Sequence, residues 1–537
     1  MRRSRLAAVL AVCALLAVLH TWPLALHPAG YSLNDNADTQ LNEWILAWIA
    51  HQLPRDPLHL FEANIFYPAH DALAFSEPLI VPALMGSPIA WLGGSPVLVY
   101  NLVLIAGFAL TAFATCLLIY KWTGSIAAGL VSGSVFAFNT HTLTRLAHVQ
   151  AIHLYGLPLA LLAIDRIVRE ESTHAAWLLA GALALLAYTS GYLAVFALIM
   201  VPITVFVRAP EWWHRARHVL AALAVAAVVS TVAILPVYLP YRRVATEQHM
   251  TRTLDVVQDF SDTPSGYLAT AGRLHLATWS GRYFEASIDP FFPGFVILGL
   301  AAAAVVTAAR PRPPAPRGLR WRIAMLVAIG LAGVILSLGT HTRVYGWLFA
   351  IFPPIRSLRA ASRFGNLFLL AVAVLGGIGA SQMRRRWVAI ACLVLVNLES
   401  LRAPITYEPF TGIPGVYREV AREPGGVVLA EVPFWPRLGV FQNGQYELGS
   451  TAHWRPLMNG YSGYTPESYD HYAETFWLFP DDRAVTSMRD AGVTHIIVHV
   501  SLFNDAEVTQ IRALEERGAL ELVAISRGEL RLYRLKR

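Results

Sequence analysis

The sequence predicts a mainly α-helical, polytopic membrane protein with about eleven transmembrane helices and a C-terminal extracytoplasmic α/β domain. Three observations lead to this fold class. Hydrophobic residues make up 55% and charged residues 14% of the 537-residue chain, and its mean hydropathy is +0.48. Apolar stretches long enough to span a bilayer recur up to about residue 401. The remainder is more charged and contains strand-like segments.

The net charge of +7 does not indicate a nucleic-acid-binding protein. The arginines lie in short clusters between apolar stretches, and this arrangement is typical of residues that set membrane topology. The 3 cysteines, Cys13, Cys116 and Cys392, each lie inside an apolar stretch. They therefore predict neither a disulfide framework nor a cysteine-based zinc site.

The first apolar stretch, residues 6–26, follows a basic start and is expected to be a retained signal anchor. Scanning onward with a window of about 20 residues identifies the remaining spans. They lie near residues 97–120, 126–138, 151–164, 175–188, 192–207, 219–239, 291–309, 323–338, 364–380 and 387–401.

Arginine clusters on alternate connections orient these spans. They include Arg2, Arg3 and Arg5, Arg166 and Arg169, Arg208, Arg215 and Arg217, Arg320 and Arg322, and Arg385 and Arg386. The positive-inside rule places this side, and the N-terminus, in the cytoplasm. We therefore expect a transmembrane domain over residues 1–402 with its large loop 28–96 outside, and a soluble extracytoplasmic domain over residues 403–537.

The outer loop contains two segments expected to lie in the membrane interface. In residues 39–52, Leu41, Trp44, Ile45, Trp48 and Ile49 recur at helical spacing and form one apolar face. Residues 79–92 form the second such segment. An interfacial helix here would place the acidic residues that precede it at the boundary between lipid headgroups and water.

The tail is expected to contain strands at residues 427–432, 494–498 and 520–524, which are rich in β-branched residues. Helices are expected at 481–491 and 504–518, because each begins with Asp or Asn and ends at Gly. Aromatic residues between the first two strands could stack on sugar rings, although buried aromatics of a small domain give the same pattern.

Several short sequences give the chain a resemblance to a known family. They are Asp-Thr-Gln-Leu-Asn-Glu-Trp-Ile-Leu-Ala-Trp at 38–48, the loop at 56–68, Ser-Glu-Pro at 76–78, Ala-His-Val-Gln at 147–150, Arg-Ala-Ala-Ser-Arg-Phe at 359–364 and Asn-Gly-Tyr-Ser-Gly-Tyr at 459–464. With these motifs, spread over most of its length, the chain resembles the bacterial polytopic glycosyltransferases of the GT-C class.

This resemblance implies an enzyme that transfers a sugar from a polyprenyl-phosphate donor to a cell-envelope glycan, lipid or protein on the outer face of the bacterial cytoplasmic membrane. In such enzymes a first-loop Asp or Glu acts as the base, or positions a divalent ion, and the reaction inverts the anomeric centre. Asp38 occupies that position, and Asp35 is the second candidate. No adjacent acidic pair is present, so the sequence does not decide between them.

Three of the acidic residues also have a structural interpretation. Asp35 and Asp38 stand just before a helical pattern, where a carboxylate caps free backbone N–H groups and favours the helix dipole. Glu77, between Ser76 and Pro78, could cap the helix that follows it or bind substrate.

Arg356, Arg359 and Arg363 lie in an outward connection, against the positive-inside trend. Their spacing of three and then four residues predicts one face of a helix entering the membrane. Guanidinium groups there could bind the donor phosphate through bidentate hydrogen bonds. The alternative is general contact with anionic lipid.

His148 and Gln150 lie at an outer membrane edge, with His141 and His153 nearby. Orienting the acceptor through hydrogen bonds is the preferred role for His148 and Gln150, and holding a divalent ion with Asp38 or Glu77 is the alternative. No cofactor is certain from the sequence, and a divalent metal ion is possible.

A transporter or flippase for lipid-linked glycans is the main alternative function, because it too would need outward arginines. Such proteins show polar or Gly/Pro-broken spans in matching halves of the chain. Here the polar residues concentrate in the outer loop and the tail instead. The sequence therefore favours the enzyme, with a lipid-linked donor, an envelope acceptor and membrane lipid as its partners.

Overall fold

The computed structural model describes residues 2–33, 35–170, 173–250, 252–310, 318–383, 385–526 and 530–536. The chain forms two compact units. The first comprises Met1–His27, Leu102–Val237 and Thr251–Thr406, and the second comprises Pro28–Asn101, Tyr238–Met250 and Tyr407–Arg537. The unit that holds the tail therefore also holds the whole outer loop, residues 28–96.

Within the described ranges, helices of seven or more residues are labelled in chain order. They are α1 (Arg3–His20), α2 (Ala37–Gln52), α3 (Ile80–Trp91), α4 (Pro96–Thr123), α5 (Ile126–Ala137), α6 (Gly156–Glu170), α7 (Thr173–Thr189), α8 (Gly191–Val207), α9 (Ala216–Glu247), α10 (Phe295–Ala309), α11 (Leu319–Ser337), α12 (Arg343–Ile351), α13 (Gly365–Ser381), α14 (Arg386–Ser400), α15 (Val416–Arg422), α16 (Gly444–Ser450), α17 (Glu467–Phe476), α18 (Asp482–Asp490) and α19 (Asp505–Glu516). The strands are β1 (Tyr31–Ser32), β2 (Glu408–Pro409), β3 (Leu429–Val432), β4 (His495–His499), β5 (Leu520–Ser526) and β6 (Leu530–Leu535).

Every span expected from the sequence overlaps a helix, and a mainly helical membrane architecture is confirmed. In the described part of the chain, six helical stretches are long and apolar enough to cross a membrane: Arg3–His20, Pro96–Thr123, Val149–Arg169, Ala209–Glu247, Leu319–Ser337 and Ala361–Ser381. Shorter apolar helices are Ile80–Trp91, His174–Thr189, Gly191–Val207, Phe295–Ala309 and Trp387–Ser400. The number of eleven spans is not confirmed.

Helix α13 lies in the core of the first unit, where it packs against α5, α10 and α11. Nearly all its residues are buried. Glycines allow these close approaches, since a Cβ on Gly379 would clash with the carbonyl of Leu300 and one on Gly377 would meet Ser132 and Ile119. The small residues of α13 are therefore required by helix packing.

A buried ion cluster links three helices of the same unit. Asp165 on α6 accepts from Arg208 Nη1 at 2.7 Å, and from Arg322 Nε at 2.9 Å and Nη2 at 2.5 Å. Arg322 also lies over the ring of Trp122, 4.7 Å from its centroid. The sequence suggested that Arg208 and Arg322 are topogenic charges on connections, but in the structure both are buried and paired with one carboxylate.

The tail forms a four-stranded sheet with the order β3-β4-β6-β5. Strands β3 and β4 are parallel, with Leu429 opposite His495, and the β4–β6 and β5–β6 pairs are antiparallel. The three predicted strands and both predicted helices are present, whereas β6 was not predicted. Asp481 and Asn504 cap α18 and α19 as their positions suggested.

Helix α2 packs against α3 and α16. Its Trp44 and Trp48 are 1% and 5% exposed, and their indole N–H groups donate to Asn64 Oδ1 at 3.3 Å and to the Leu60 carbonyl at 2.9 Å. The tryptophan face that we expected to lie in the interface is therefore covered by protein. Its burial fixes α2 and the acidic residues at its N-terminus within the second unit.

Candidate functional site

The two candidate bases differ in their placement at the start of α2. Asn36 is the N-cap residue, and its side-chain oxygen accepts the Asp38 N–H at 2.9 Å. Neither aspartate is therefore the N-cap. Asp35 is exposed in the preceding turn, whereas Asp38 is half-buried in the first helical turn, where the helix dipole favours a carboxylate.

Asp38 is contacted by a residue from the tail. The Tyr461 hydroxyl donates to Asp38 Oδ1 at 2.8 Å. The Asn42 amide donates to the Asp38 carbonyl at 2.6 Å and so closes the same turn. Tyr461 belongs to the motif at 459–464, but nothing in the sequence pairs it with Asp38, from which 423 residues separate it.

A second carboxyl group lies further along α2. Glu43 is fully buried, and Ser32 on β1 donates to its Oε1 at 2.8 Å. Its Oε2 has no hydrogen-bond partner among the residues that the structure describes. Burial raises the pKa of Glu43 to about 8, against the smaller opposing effect of Ser32. Glu43 is therefore mostly protonated at neutral pH, unlike a carboxylate that acts as a base.

Glu77 is half-buried just before α3. The N-cap position of α3 is Leu79, without a side-chain capping bond, so Glu77 does not cap this helix in the way considered from the sequence. The Tyr241 hydroxyl donates to the Ser76 carbonyl at 2.5 Å and lies within electrostatic range of Glu77. Glu77 thus belongs to the same unit as both candidate bases.

The three arginines do not share a helical face, and this prediction was wrong. Residues Pro353–Ser357 and Ala361–Phe364 form two separate 3₁₀ turns. Arg356 is exposed, and its guanidinium donates to the carbonyls of Phe349 and Ala350 at 2.8 and 2.6 Å. It therefore satisfies the last carbonyl groups of α12, which is a structural role.

Arg359 and Arg363 are half-buried, and both contact Tyr192. The Arg363 guanidinium lies 4.5 Å from the Tyr192 ring centroid, and the Tyr192 hydroxyl accepts the N–H groups of Arg359 and Ala360 at 3.2 and 2.9 Å. Arg359 lies over the Phe260 ring at 5.1 Å. Neither guanidinium has a hydrogen-bond acceptor within the described ranges, so both retain donors for an anion.

The histidines near residue 148 do not converge. His148 is half-buried and Gln150 is buried, with Gln150 Oε1 unpaired among the described residues. His141 instead faces Asp289 at 3.3 Å, and His153 contacts the Val103 carbonyl at 3.1 Å. Across the described residues there is no group of three or more His, Cys, Asp or Glu side chains that could hold a metal ion.

Asp289 is a buried centre that the sequence did not indicate. It accepts from Arg145 Nε at 2.9 Å and from Ser362 Oγ at 2.6 Å, beside His141. Burial alone would raise its pKa, but His141, Arg145 and Ser362 together hold the pKa below the ordinary value. Since Ser362 precedes Arg363, Asp289 fixes the turn that carries this arginine. The sequence feature that could have indicated this buried centre is an Asp directly before Pro290 in an outward connection.

Comparison with solved structures gives similar folds, whereas neither family models nor curated proteins match the chain. The arabinofuranosyltransferase AftD from Mycobacteria superposes with a TM-score of 0.61 at 16% identity, over 100% of this chain and 40% of AftD. The chain thus spans less than half the length of AftD.

Two further structures give lower scores. The oligosaccharyltransferase AglB from Archaeoglobus fulgidus, solved with an inhibitory peptide and a dolichol-phosphate, has a TM-score of 0.47 at 12% identity, over 93% of this chain and 70% of AglB. ArnT from Cupriavidus metallidurans has a TM-score of 0.43 at 13% identity, over 99% of this chain and 98% of ArnT. The structure of this chain has the GT-C-type fold that its sequence motifs predicted.

Proposed function

We propose that this chain is a membrane glycosyltransferase that moves a sugar from a polyprenyl-phosphate donor to a cell-envelope acceptor, with inversion at the anomeric carbon. The observation that carries the proposal is the fold shared with AftD, which is an arabinofuranosyltransferase. The half-buried carboxylate of Asp38, at the start of α2, supplies the chemistry. The acceptor is a glycan, lipid or protein of the envelope.

In the proposed reaction, an acceptor hydroxyl oxygen attacks the anomeric carbon and forms the new glycosidic bond. The bond between that carbon and the phosphate oxygen breaks, and polyprenyl phosphate leaves with the electron pair. The acceptor proton passes to the carboxylate of Asp38, directly or through one water molecule. Asp35 is the weaker candidate because it is exposed in a turn, whereas Asp38 is half-buried in the first turn of α2.

Arg359 and Arg363 are proposed to bind the donor phosphate. Their guanidinium groups rest on aromatic rings and keep donors available for phosphate oxygens. Arg356 is left out of this role because its donors are committed to α12. His148, Gln150 and Glu77 are proposed to orient substrate through hydrogen bonds.

The proposed location is the bacterial cytoplasmic membrane, with the N-terminus in the cytoplasm and the tail outside. The arginine distribution supports this orientation. A cysteine-accessibility experiment on Asp505→Cys, at the exposed start of α19, would test the side. Labelling only in permeabilised cells would contradict the proposed orientation.

The proposal is tested with the purified full-length chain in lipid nanodiscs, a panel of polyprenyl-phosphate-linked pentoses and hexoses, and an envelope glycan extract as acceptor. Loss of a general base lowers the rate by about 10²- to 10⁴-fold, which is the expected result for Asp38→Asn. Asp482→Asn, on an exposed surface of the tail, is the control at equal protein abundance. Full activity of both Asp38→Asn and Asp35→Asn would contradict the mechanism.

A further inference from the structure

The hydrogen bond between Tyr461 and Asp38 joins the tail to the first turn of α2. The phenol O–H donates to Asp38 Oδ1 at 2.8 Å, and both side chains are half-buried. A hydrogen bond to a charged acceptor is stronger than one between neutral groups. It also restricts the terminal torsion of the aspartate side chain, which is intrinsically broad.

The backbone around Tyr461 is held by buried contacts. The Tyr461 N–H donates to the fully buried Glu447 on α16. Asn459, also fully buried, accepts the Glu431 N–H at 2.7 Å and donates to the Glu431 carbonyl at 3.0 Å. At Gly460, a Cβ would lie 2.6 Å from the ring of Phe66. These contacts leave Tyr461 little freedom to move away from Asp38.

The tail also packs closely against the backbone that carries Asp38. At Gly444, the first residue of α16, a Cβ would lie 3.3 Å from the Ala37 carbonyl oxygen and 2.7 Å from Gln40 Oε1. Residues on either side of Asp38 in its helix are therefore in close contact with α16. Tyr461 and α16 together fix both the side chain and the helical turn of the proposed base.

We propose that Tyr461 is a positioning residue for Asp38, so that a residue of the tail completes the catalytic site. This inference rests on the proposed function. A general base must present one oxygen to the acceptor hydroxyl within about 3 Å, and small errors in orientation are costly. The Tyr461 O–H holds one carboxylate oxygen and thereby orients the other.

Tyr461→Phe removes only the hydroxyl and keeps the ring. We expect kcat to fall about fivefold to tenfold, with little change in the KM for the donor. Tyr464→Phe is the matched control, since Tyr464 lies in the same motif but donates to the Gln248 carbonyl at 2.9 Å.

Combining the substitutions distinguishes this inference from the proposed function. Adding Tyr461→Phe to Asp38→Asn should cause no further loss of activity. If Asp38→Asn is inactive while Tyr461→Phe keeps the wild-type kcat, the inference is overturned and the proposed function stands. If Asp38→Asn is fully active, both the proposed mechanism and the positioning role of Tyr461 are refuted.

A measurement that needs no activity tests the contact itself. The melting temperatures of the full-length chain and of the two single variants and the double variant form a double-mutant cycle. Non-additive losses support a direct hydrogen bond between Tyr461 and Asp38. Additive losses would overturn the inference whatever the chain transfers.

Discussion

Glu43→Gln is expected to stabilise the protein at neutral pH, because it replaces a buried ionisable group with one that does not titrate. The wild-type carboxyl group has a pKa of about 8 when folded, against an ordinary value of 4.5. Below pH 4.5 it is protonated in both states, so its titration does not affect stability. Between pH 4.5 and 8 the unfolded chain releases this proton and the folded chain keeps it. Folding therefore loses stability as the pH rises.

The magnitude follows from the size of the pKa difference. Each pKa unit corresponds to about 1.4 kcal/mol, so Glu43 costs the folded state about 3 kcal/mol at pH 7 and about 5 kcal/mol above pH 8. Glutamine does not titrate, and its side-chain oxygen can still accept from Ser32, which donates to Glu43 at 2.8 Å. The variant should therefore gain stability relative to wild type with rising pH, and the gain should vanish near pH 4.5.

The assay is the thermal unfolding of the detergent-solubilised full-length chain at several pH values between 4.5 and 8. The reported quantity is the difference in melting temperature between variant and wild type, since this difference cancels the titration of other groups. Glu419→Gln is the control because Glu419 is 39% exposed and pairs with Arg422 on the same helix. A difference for Glu43→Gln that stays constant with pH would refute the reasoning.

Three further outcomes are expected. Asp165→Asn leaves the buried Arg322 without its carboxylate and removes one of the two carboxylates that pair with the buried Arg208, the other being Glu211, so it should cost about 3–5 kcal/mol. Asp482→Asn breaks an exposed pair and should cost about 0–1 kcal/mol; chemical unfolding that ranks the two variants equally would contradict the buried cluster. Gly444→Ala should cost about 1–3 kcal/mol of stability by overpacking. Gly426→Ala, where an added Cβ would meet open space, should be neutral or stabilising by up to about 1 kcal/mol. A melting curve unchanged by Gly444→Ala would argue against the contact of α16 with α2. Arg363→Gln should raise the KM for the lipid-linked donor about tenfold or more. An unchanged KM in steady-state kinetics would mean that Arg363 does not bind the donor phosphate.

The sequence was most informative where local pattern decides structure. Apolar length located the apolar helices, β-branched runs located β3 and β4, and an Asn at the start with a Gly at the end located α19. It misled at the arginines because a spacing of three and four residues predicts a helix, while Pro353 and Pro354 favour a 3₁₀ turn that ends before Arg359. Periodicity alone does not report such interruptions.

Contacts between distant segments could not be predicted in the same way. The apolar face of α2 was recognised, but one sequence does not tell whether lipid or protein covers Trp44, because both environments favour the same residues. The pairing of Asp38 with Tyr461 depends on how two segments 423 residues apart fold together. The motif at 459–464 marked the region of Tyr461 without indicating its partner.

The central claim is that this fold carries out sugar transfer with Asp38 as its base. The most direct measurement is single-turnover transfer of a labelled sugar from a polyprenyl-phosphate donor by wild type and by Asp38→Asn, in nanodiscs at equal amounts of folded protein. The account predicts transfer by wild type and a loss of at least about 100-fold in the variant, with donor binding retained. Equal rates for the two proteins would contradict it.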